Sequence, residues 1–182
     1  MLPLANKKFL LVKDISIESN DDKTPHCSEC GAACNRGDLF TIDDRPVCRT
    51  CLFGDAPPVT IYPIGVVSND FERDETPFGR KGTGTVSKIE LLPSQKQFMS
   101  GLEQEPEITI VYYLHKSRPV RTCFKRGLDG KQVGVFASRT PDRLSRIGIQ
   151  DVKLHDINGT TLFVTGLDAV NGTPVLDIKL KI

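Results

Sequence analysis

The chain has 182 residues, of which 38% are hydrophobic and 26% charged, and its formal net charge is +1. That length allows one ordinary domain, or a small module joined to a medium one. The composition excludes a membrane protein, because no apolar run approaches the ~20 residues a spanning helix needs.

Residues 1–22 form a lead-in with one strand-like stretch, KKFLLVKDISI. Its apolar core, Phe9-Leu10-Leu11-Val12, is too short for a secretory signal, and no small-residue cleavage pattern follows it. The expected compartment is therefore the cytoplasm, where disulfides are rare. The six cysteines then read as metal ligands plus spare thiols.

Four of them form two pairs, Cys27-x2-Cys30 and Cys48-x2-Cys51, with seventeen residues between the pairs. Each CxxC knuckle sets two thiolates on one side of a tight turn, and two knuckles complete a tetrahedral zinc shell. The intervening Leu39–Ile42, Asp43-Asp44 and Arg45–Cys48 read as a small hairpin that delivers the second knuckle. Four protein ligands leave no position for substrate. The zinc is thus expected to be structural, in a module too small to fold on its own core. Cys34 or the adjacent His26 could replace one ligand, and a redox dithiol is the competing reading of the CxxC pairs. Cys123 reads as a buried or idle thiol.

Pro57-Pro58 marks a stiff, extended boundary. Residues 1–56 are read as the N-terminal strand and zinc-ribbon module, and residues 57–182 as a domain large enough to bury its own core. That second part is mainly β. Strands are expected over Ile61–Val67, Glu107–His115, Lys131–Ser138, Asp151–Ile157, Thr161–Thr165 and Pro174–Lys181. In the last, Leu176, Ile178 and Leu180 alternate with polar residues. Asp129-Gly130, Asn158-Gly159 and Asn171-Gly172 are hairpin-turn signals, since these residue types tolerate positive φ. One short helix is expected at 93–103, with Pro93 in its first turn and Phe98 and Leu102 on one face. Antiparallel strands joined by tight turns predict a barrel or sandwich.

Charge is unevenly distributed. From Lys116 to Arg146 there are nine basic residues against Asp129 and Asp142, a local excess of +7. Such a block attracts phosphate-bearing partners. No P-loop, HExxH or GxSxG pattern is present, and Gly79–Gly84 lacks the order of a dinucleotide loop.

Two further stretches carry a resemblance. The first is Val133-Gly-Val-Phe-Ala-Ser-Arg139-Thr-Pro-Asp-Arg143-Leu-Ser-Arg146-Ile-Gly148-Ile149, and the second is Gly166-Leu-Asp168-Ala-Val-Asn171-Gly172-Thr173-Pro174-Val-Leu-Asp177. With the opening Tyr62-Pro-Ile-Gly-Val-Val67 and the aromatic strand ending in His115-Lys116, the sequence resembles the TrmO/TsaA-like family of tRNA methyltransferases over about 61–182. Its signature runs approximately GVFATRSPxRPNPIGL, then GLDxxDGTPVLDIKPY. The resemblance implies an antiparallel β-barrel that binds S-adenosylmethionine (SAM), a homodimer, and methylation of N6 on threonylcarbamoyladenosine beside the tRNA anticodon. Carried over by position, the cofactor contacts would be Pro77, Arg80, His115, Lys116, Arg139, Ile149 and the turn Asp168, Ala169, Val170, Asn171, Gly172 and Thr173. His115 or Asp177 would take the proton from the target nitrogen. The basic block would hold phosphates of the anticodon loop.

The signature's Arg-Pro-Asn-Pro-Ile-Gly is replaced here by Arg143-Leu-Ser-Arg146-Ile-Gly148, and Asn171 replaces an Asp. Two alternative functions stay open: SAM-dependent methylation of another substrate, and a non-catalytic zinc-ribbon RNA-binding or adaptor protein. The zinc module is expected to be an appendage that binds or orients a partner, with the cofactor site independent of it.

Overall fold

A computed structural model of the chain describes residues 24–71, 84–116 and 119–182. The lead-in strand, Pro77 and Arg80 lie outside the described residues. Among the described residues no helix is long and apolar enough to cross a membrane.

The chain first forms a hairpin, β1 (Leu39–Ile42) and β2 (Arg45–Cys48), followed by the short helix α1 (Arg49–Phe53). The hairpin turn is Asp43-Asp44, with φ of 47° and 64°. Both residues are left-handed, the geometry whose twist matches a two-residue hairpin. Phe40 meets Phe53 edge-on at 5.3 Å, which ties α1 back to β1.

Six strands then close a barrel: β3 (Gly65–Ser68), β4 (Val86–Leu91), β5 (Glu107–Tyr113) and, after the small hairpin of β6 (Cys123–Lys125) and β7 (Gln132–Gly134), β8 (Ile147–Asn158), β9 (Thr161–Thr165) and β10 (Pro174–Leu180). Around the barrel the order is β10-β3-β4-β9-β8-β5, and every neighbouring pair is antiparallel. Inward residues alternate along each strand: Ser87, Ile89 and Leu91 on β4, Ile108, Ile110 and Tyr112 on β5, and Leu162 and Val164 on β9. Each fully buried aliphatic side chain contributes about 1.5–3 kcal/mol, so this interior is the main source of the barrel's cohesion.

Several expectations change in detail. The helix expected at 93–103 is two 3-10 turns, Pro93–Phe98 and Leu102–Gln104. Gly101, at φ 84°, separates them. Phe98 points outward at 74% exposure, while Met99 and Leu102 pack on the barrel core. Lys131–Ser138 is a three-residue strand that runs into a 3-10 turn. On β10 the register slips between Val175 and Asp177. One extra residue reverses which side faces inward. Val175 and Ile178 therefore serve the core, while Leu180 is exposed. Asn171-Gly172 is not a hairpin turn, because β9 and β10 are not neighbours in the barrel. It belongs to the loop that crosses the barrel mouth.

Candidate functional site

The barrel carries a cleft of about 890 Å³, within the range of small-molecule sites. Its floor is apolar, from Tyr112 and Leu114 at the end of β5 and Ile147 and Ile149 on β8. One wall is the 137–143 loop with Arg139, the outer rim is Phe124, Arg126 and Leu128 of the β6–β7 hairpin, and Asp168 closes the inner side. Tyr112 lies over Gly148, its register partner. A Cβ at Gly148 would sit 2.4 Å from the Tyr112 ring, so only glycine leaves room for the floor. Burial, then the nearby Asp168 carboxylate, push the Tyr112 phenol up to about 12, so it stays neutral.

Three of the residues singled out by the signature, Arg139, Ile149 and Asp168, line this cleft although their strands and loops are separate in sequence. His115 follows the floor residue Leu114. Its Nδ1 lies 3.4 Å from the Thr173 hydroxyl, and its Nε2 lies 3.8 Å from where a Cβ on Gly172 would stand. His115 thus meets the 171–173 turn, and neither it, Lys116, nor residues 169–173 are among those that line the cleft. Asp177 is placed apart from the cleft lining. Its carboxylate pairs with Lys179 at 2.6 Å and accepts from the Ile178 amide.

Two carboxamides, neither evident in the sequence, hold the 166–171 loop. Gln150 donates to the Gly166 carbonyl and accepts from the Asp168 amide at 2.8 Å. Asn69 donates to the Ala169 carbonyl at 2.9 Å and to the Ser87 hydroxyl at 3.0 Å, and its own amide donates to Asn171 Oδ1 at 3.3 Å. Such residues satisfy loop backbone that no ladder reaches. They show no periodicity or spacing that would single them out.

The basic block is less free than its count of charges indicates. Arg121 pairs with Asp44 at 2.6 Å, and Arg126 grips Asp129 through two hydrogen bonds. Arg143 donates to the carbonyls of Val135, Ser138 and Thr140. It fixes the backbone on both sides of Arg139, whose own side chain is left exposed. Arg146 has φ 51°, a conformation that the proline of the family signature cannot take. The backbone of this loop therefore differs from what that motif would allow.

The second cluster is Cys27, Cys30, Cys48 and Cys51, whose sulfurs all lie within 4.8 Å of one another. Cys27 and Cys51 are 3.8 Å apart, and Cys30 and Cys48 are 3.9 Å apart. Tetrahedral zinc, with bonds of about 2.3 Å, separates its sulfurs by about 3.8 Å, so the donor set fits that ion. Backbone amides of Glu29 and Cys48 point at Cys27 Sγ, and that of Cys51 at Cys48 Sγ. Chiefly through backbone amides, the Cys27 thiol is lowered to about 6, whereas hydrogen bonds with Cys48 and Cys30 push Cys51 up. Four crowded thiols cannot all ionise without a cation, and a dication relieves that conflict. Cys34 and His26 stand outside the cluster, and Cys123 is exposed rather than buried.

A family described as the tRNA-methyltransferase O N-terminal domain matches residues 66–181. A protein of Methanothermobacter thermautotrophicus named "Probable S-adenosyl-L-methionine-binding protein" is 37% identical over 123 residues, covering 66% of this chain and 88% of the relative. The human tRNA (adenine(37)-N6)-methyltransferase is 37% identical over 84 residues, 44% of this chain and 19% of the human protein. The solved structure of TrmO from Pseudomonas aeruginosa superposes with a TM-score of 0.54 at 26% identity, over 69% of this chain and 57% of that one. The chain thus spans little more than half of that solved protein. The matched region contains the cleft and the barrel from Val66 onward and excludes the cysteine cluster, and from residue 66 to residue 181 the chain belongs to the tRNA-methyltransferase O N-terminal domain family.

Proposed function

We propose that the protein is a SAM-dependent methyltransferase acting on tRNA, and that its target is N6 of threonylcarbamoyladenosine beside the anticodon. The observation that carries this reading is the convergence of Arg139, Ile149 and Asp168 on one cleft with an apolar floor. When bound, the cofactor supplies an electrophilic methyl group on a sulfonium. Methyl transfer then depends on in-line positioning more than on a metal or a covalent intermediate. The floor from Tyr112 to Ile149 would exclude water, and Asp168 would accept hydrogen bonds from hydroxyl or ammonium groups. Arg139 would bind carboxylate or phosphate oxygens. His115 is the better candidate to take a proton from the target nitrogen, because it borders the 171–173 turn while Asp177 is engaged with Lys179. Exposed Lys125 and Arg139 would meet the phosphates of the anticodon loop.

The cysteine cluster, in the same reading, holds a structural zinc ion. Four thiolate ligands would leave no open coordination site, so the ion would stand outside the reaction. Binding of cobalt in place of zinc, with thiolate-to-metal absorption and a stoichiometry of one, is the expected result.

Calorimetry with SAM tests the cofactor assignment. Wild-type protein is expected to bind, and Arg139→Ala to bind about tenfold more weakly, the loss typical of a charge-assisted contact, with unchanged circular dichroism. Absence of binding by the wild type at millimolar SAM sinks the enzyme reading. Mass spectrometry of tRNA nucleosides from a deletion strain tests the substrate. Unchanged methylated threonylcarbamoyladenosine directs the activity to another acceptor. The altered 143–148 loop, with Arg146 left-handed, is the feature that favours this second reading.

A further inference from the structure

The cysteine cluster and the cleft are joined by a continuous set of contacts. The Asp43-Asp44 turn ends the hairpin that carries Cys48. Asp43 accepts from the Thr122 amide at 3.1 Å and from its hydroxyl at 2.5 Å, and the Asp43 amide donates to the Val120 carbonyl at 3.0 Å. Ile42 forms a parallel bridge with Val120. The other side of the 120–122 segment faces the cleft wall. The Val135 amide donates to the Thr122 carbonyl at 3.1 Å, and the Arg121 amide to the Asp142 carbonyl at 3.2 Å. Leu144 completes the connection. It packs into the buried cluster of Cys27, Ile42, Val47, Cys48 and Val120.

Leu144 directly follows Arg143, the residue that clamps the carbonyls of Ser138 and Thr140 around Arg139. It also stands where the signature carries proline. Its side chain supplies packing into the module that a proline ring, short and fixed in φ, does not reproduce.

We propose that Asp43 and Leu144 are positioning residues through which the cysteine module fixes the Arg139-bearing wall of the cleft. Neither lines the cleft; they act by holding segments that do. The module is then part of the cleft's support, and its metal is linked to cofactor affinity although it lies outside the reaction. This inference rests on reading the cleft as the cofactor site.

Hydrogen exchange followed by mass spectrometry tests it on the full chain without any ligand. Asp43→Ala and Leu144→Ala are each expected to speed exchange across 135–148 by about tenfold, the change that losing one charge-assisted hydrogen bond or one buried anchor produces in a local opening. Exchange in β4 and β9 should stay at its wild-type value. Chelating the metal should reproduce the pattern. Leu144→Met should restore protection, and Lys179→Ala, which removes an exposed ion pair on β10, should leave it unaltered. Asp43→Ala combined with Thr122→Val should be no worse than Asp43→Ala alone, because the hydroxyl contact that Thr122→Val removes is already gone. Unchanged exchange across 135–148 in Asp43→Ala and Leu144→Ala overturns the proposal. In the same variants SAM affinity should fall several-fold while the melting temperature of the barrel holds. Faster exchange with wild-type affinity overturns the positioning role. If the wild type does not bind SAM, the methyltransferase reading fails, and the exchange comparison still decides whether the module fixes the wall.

Discussion

The barrel and the cysteine module reach stability by opposite routes. The barrel closes its hydrogen bonding on itself and, among the described residues, buries twelve hydrophobic ones in one core. Among the described residues the module has a two-stranded sheet, a five-residue helix and five buried residues, two of which are cysteines of the cluster and one of which, Val120, comes from the later part of the chain. A two-stranded hairpin is marginal by itself, so the module depends on four sulfurs and on a neighbour. The cleft lies on the border between these regimes. Its floor is inherited from the rigid barrel, and its Arg139 wall from segments that lean on the module.

The sharpest way to break the comparison is Cys48→Ser. Structural zinc sites contribute an apparent ~10–16 kcal/mol to folding of small modules, so this variant should lose bound metal and protease resistance over 24–54 while the barrel's thermal transition persists. Loss of both transitions together would show that the barrel is not self-sufficient. Next in size is Ile110→Ala in the barrel core. It should cost about 2–5 kcal/mol by denaturant unfolding and leave metal content at one ion per chain. Gly148→Ala probes the border. The new methyl group meets the Tyr112 ring, and overpacking of this kind costs about 1–3 kcal/mol, with a parallel loss of SAM affinity measured by calorimetry. The smallest effect belongs to Asp177→Asn. An exposed pair such as Asp177–Lys179 is worth ~1 kcal/mol or less, and turnover should stay near the wild-type rate. A loss of a hundredfold or more in kcat would return Asp177 to the role of base.

Much of this organisation is legible in the sequence. The cysteine spacing located the cluster and the hairpin between its knuckles, because two CxxC turns impose one geometry. Alternation located β5 and β9, whose inward positions are uniformly apolar or aromatic. It failed on β4, which begins with an exposed Val86 and a buried Ser87. The buried Ser87 hydroxyl receives Asn69, a tertiary reason that no local pattern carries. It failed again on β10, where a bulge moves the apolar side midway along the strand. At 93–103 the spacing of Phe98 and Leu102 suggests one helical face, but Gly101 splits the stretch into two 3-10 turns that send Phe98 outward and Leu102 onto the core. The site followed the same division. Arg139, Ile149 and Asp168 were marked by sequence blocks, while Gln150 and Asn69 act on distant backbone. The join between module and cleft was the least visible feature, since Asp43 and Thr122 lie 79 residues apart.

Gln150 has a consequence of its own. The pairing of β8 with β9 ends at Lys153 and Thr165, and beyond that point the Gln150 carboxamide takes over, with its donor on Gly166 and its acceptor on Asp168. The side chain behaves as a surrogate peptide group that adds one more rung to a ladder whose main chains have already parted. The place of Asp168 in the cleft is therefore encoded eighteen residues upstream, and it depends on the distinction between one nitrogen and one oxygen. Hydrolysis of that amide to a carboxylate would turn the donor into a second acceptor facing the Gly166 carbonyl and would take away the rung at a residue that itself lines the cleft.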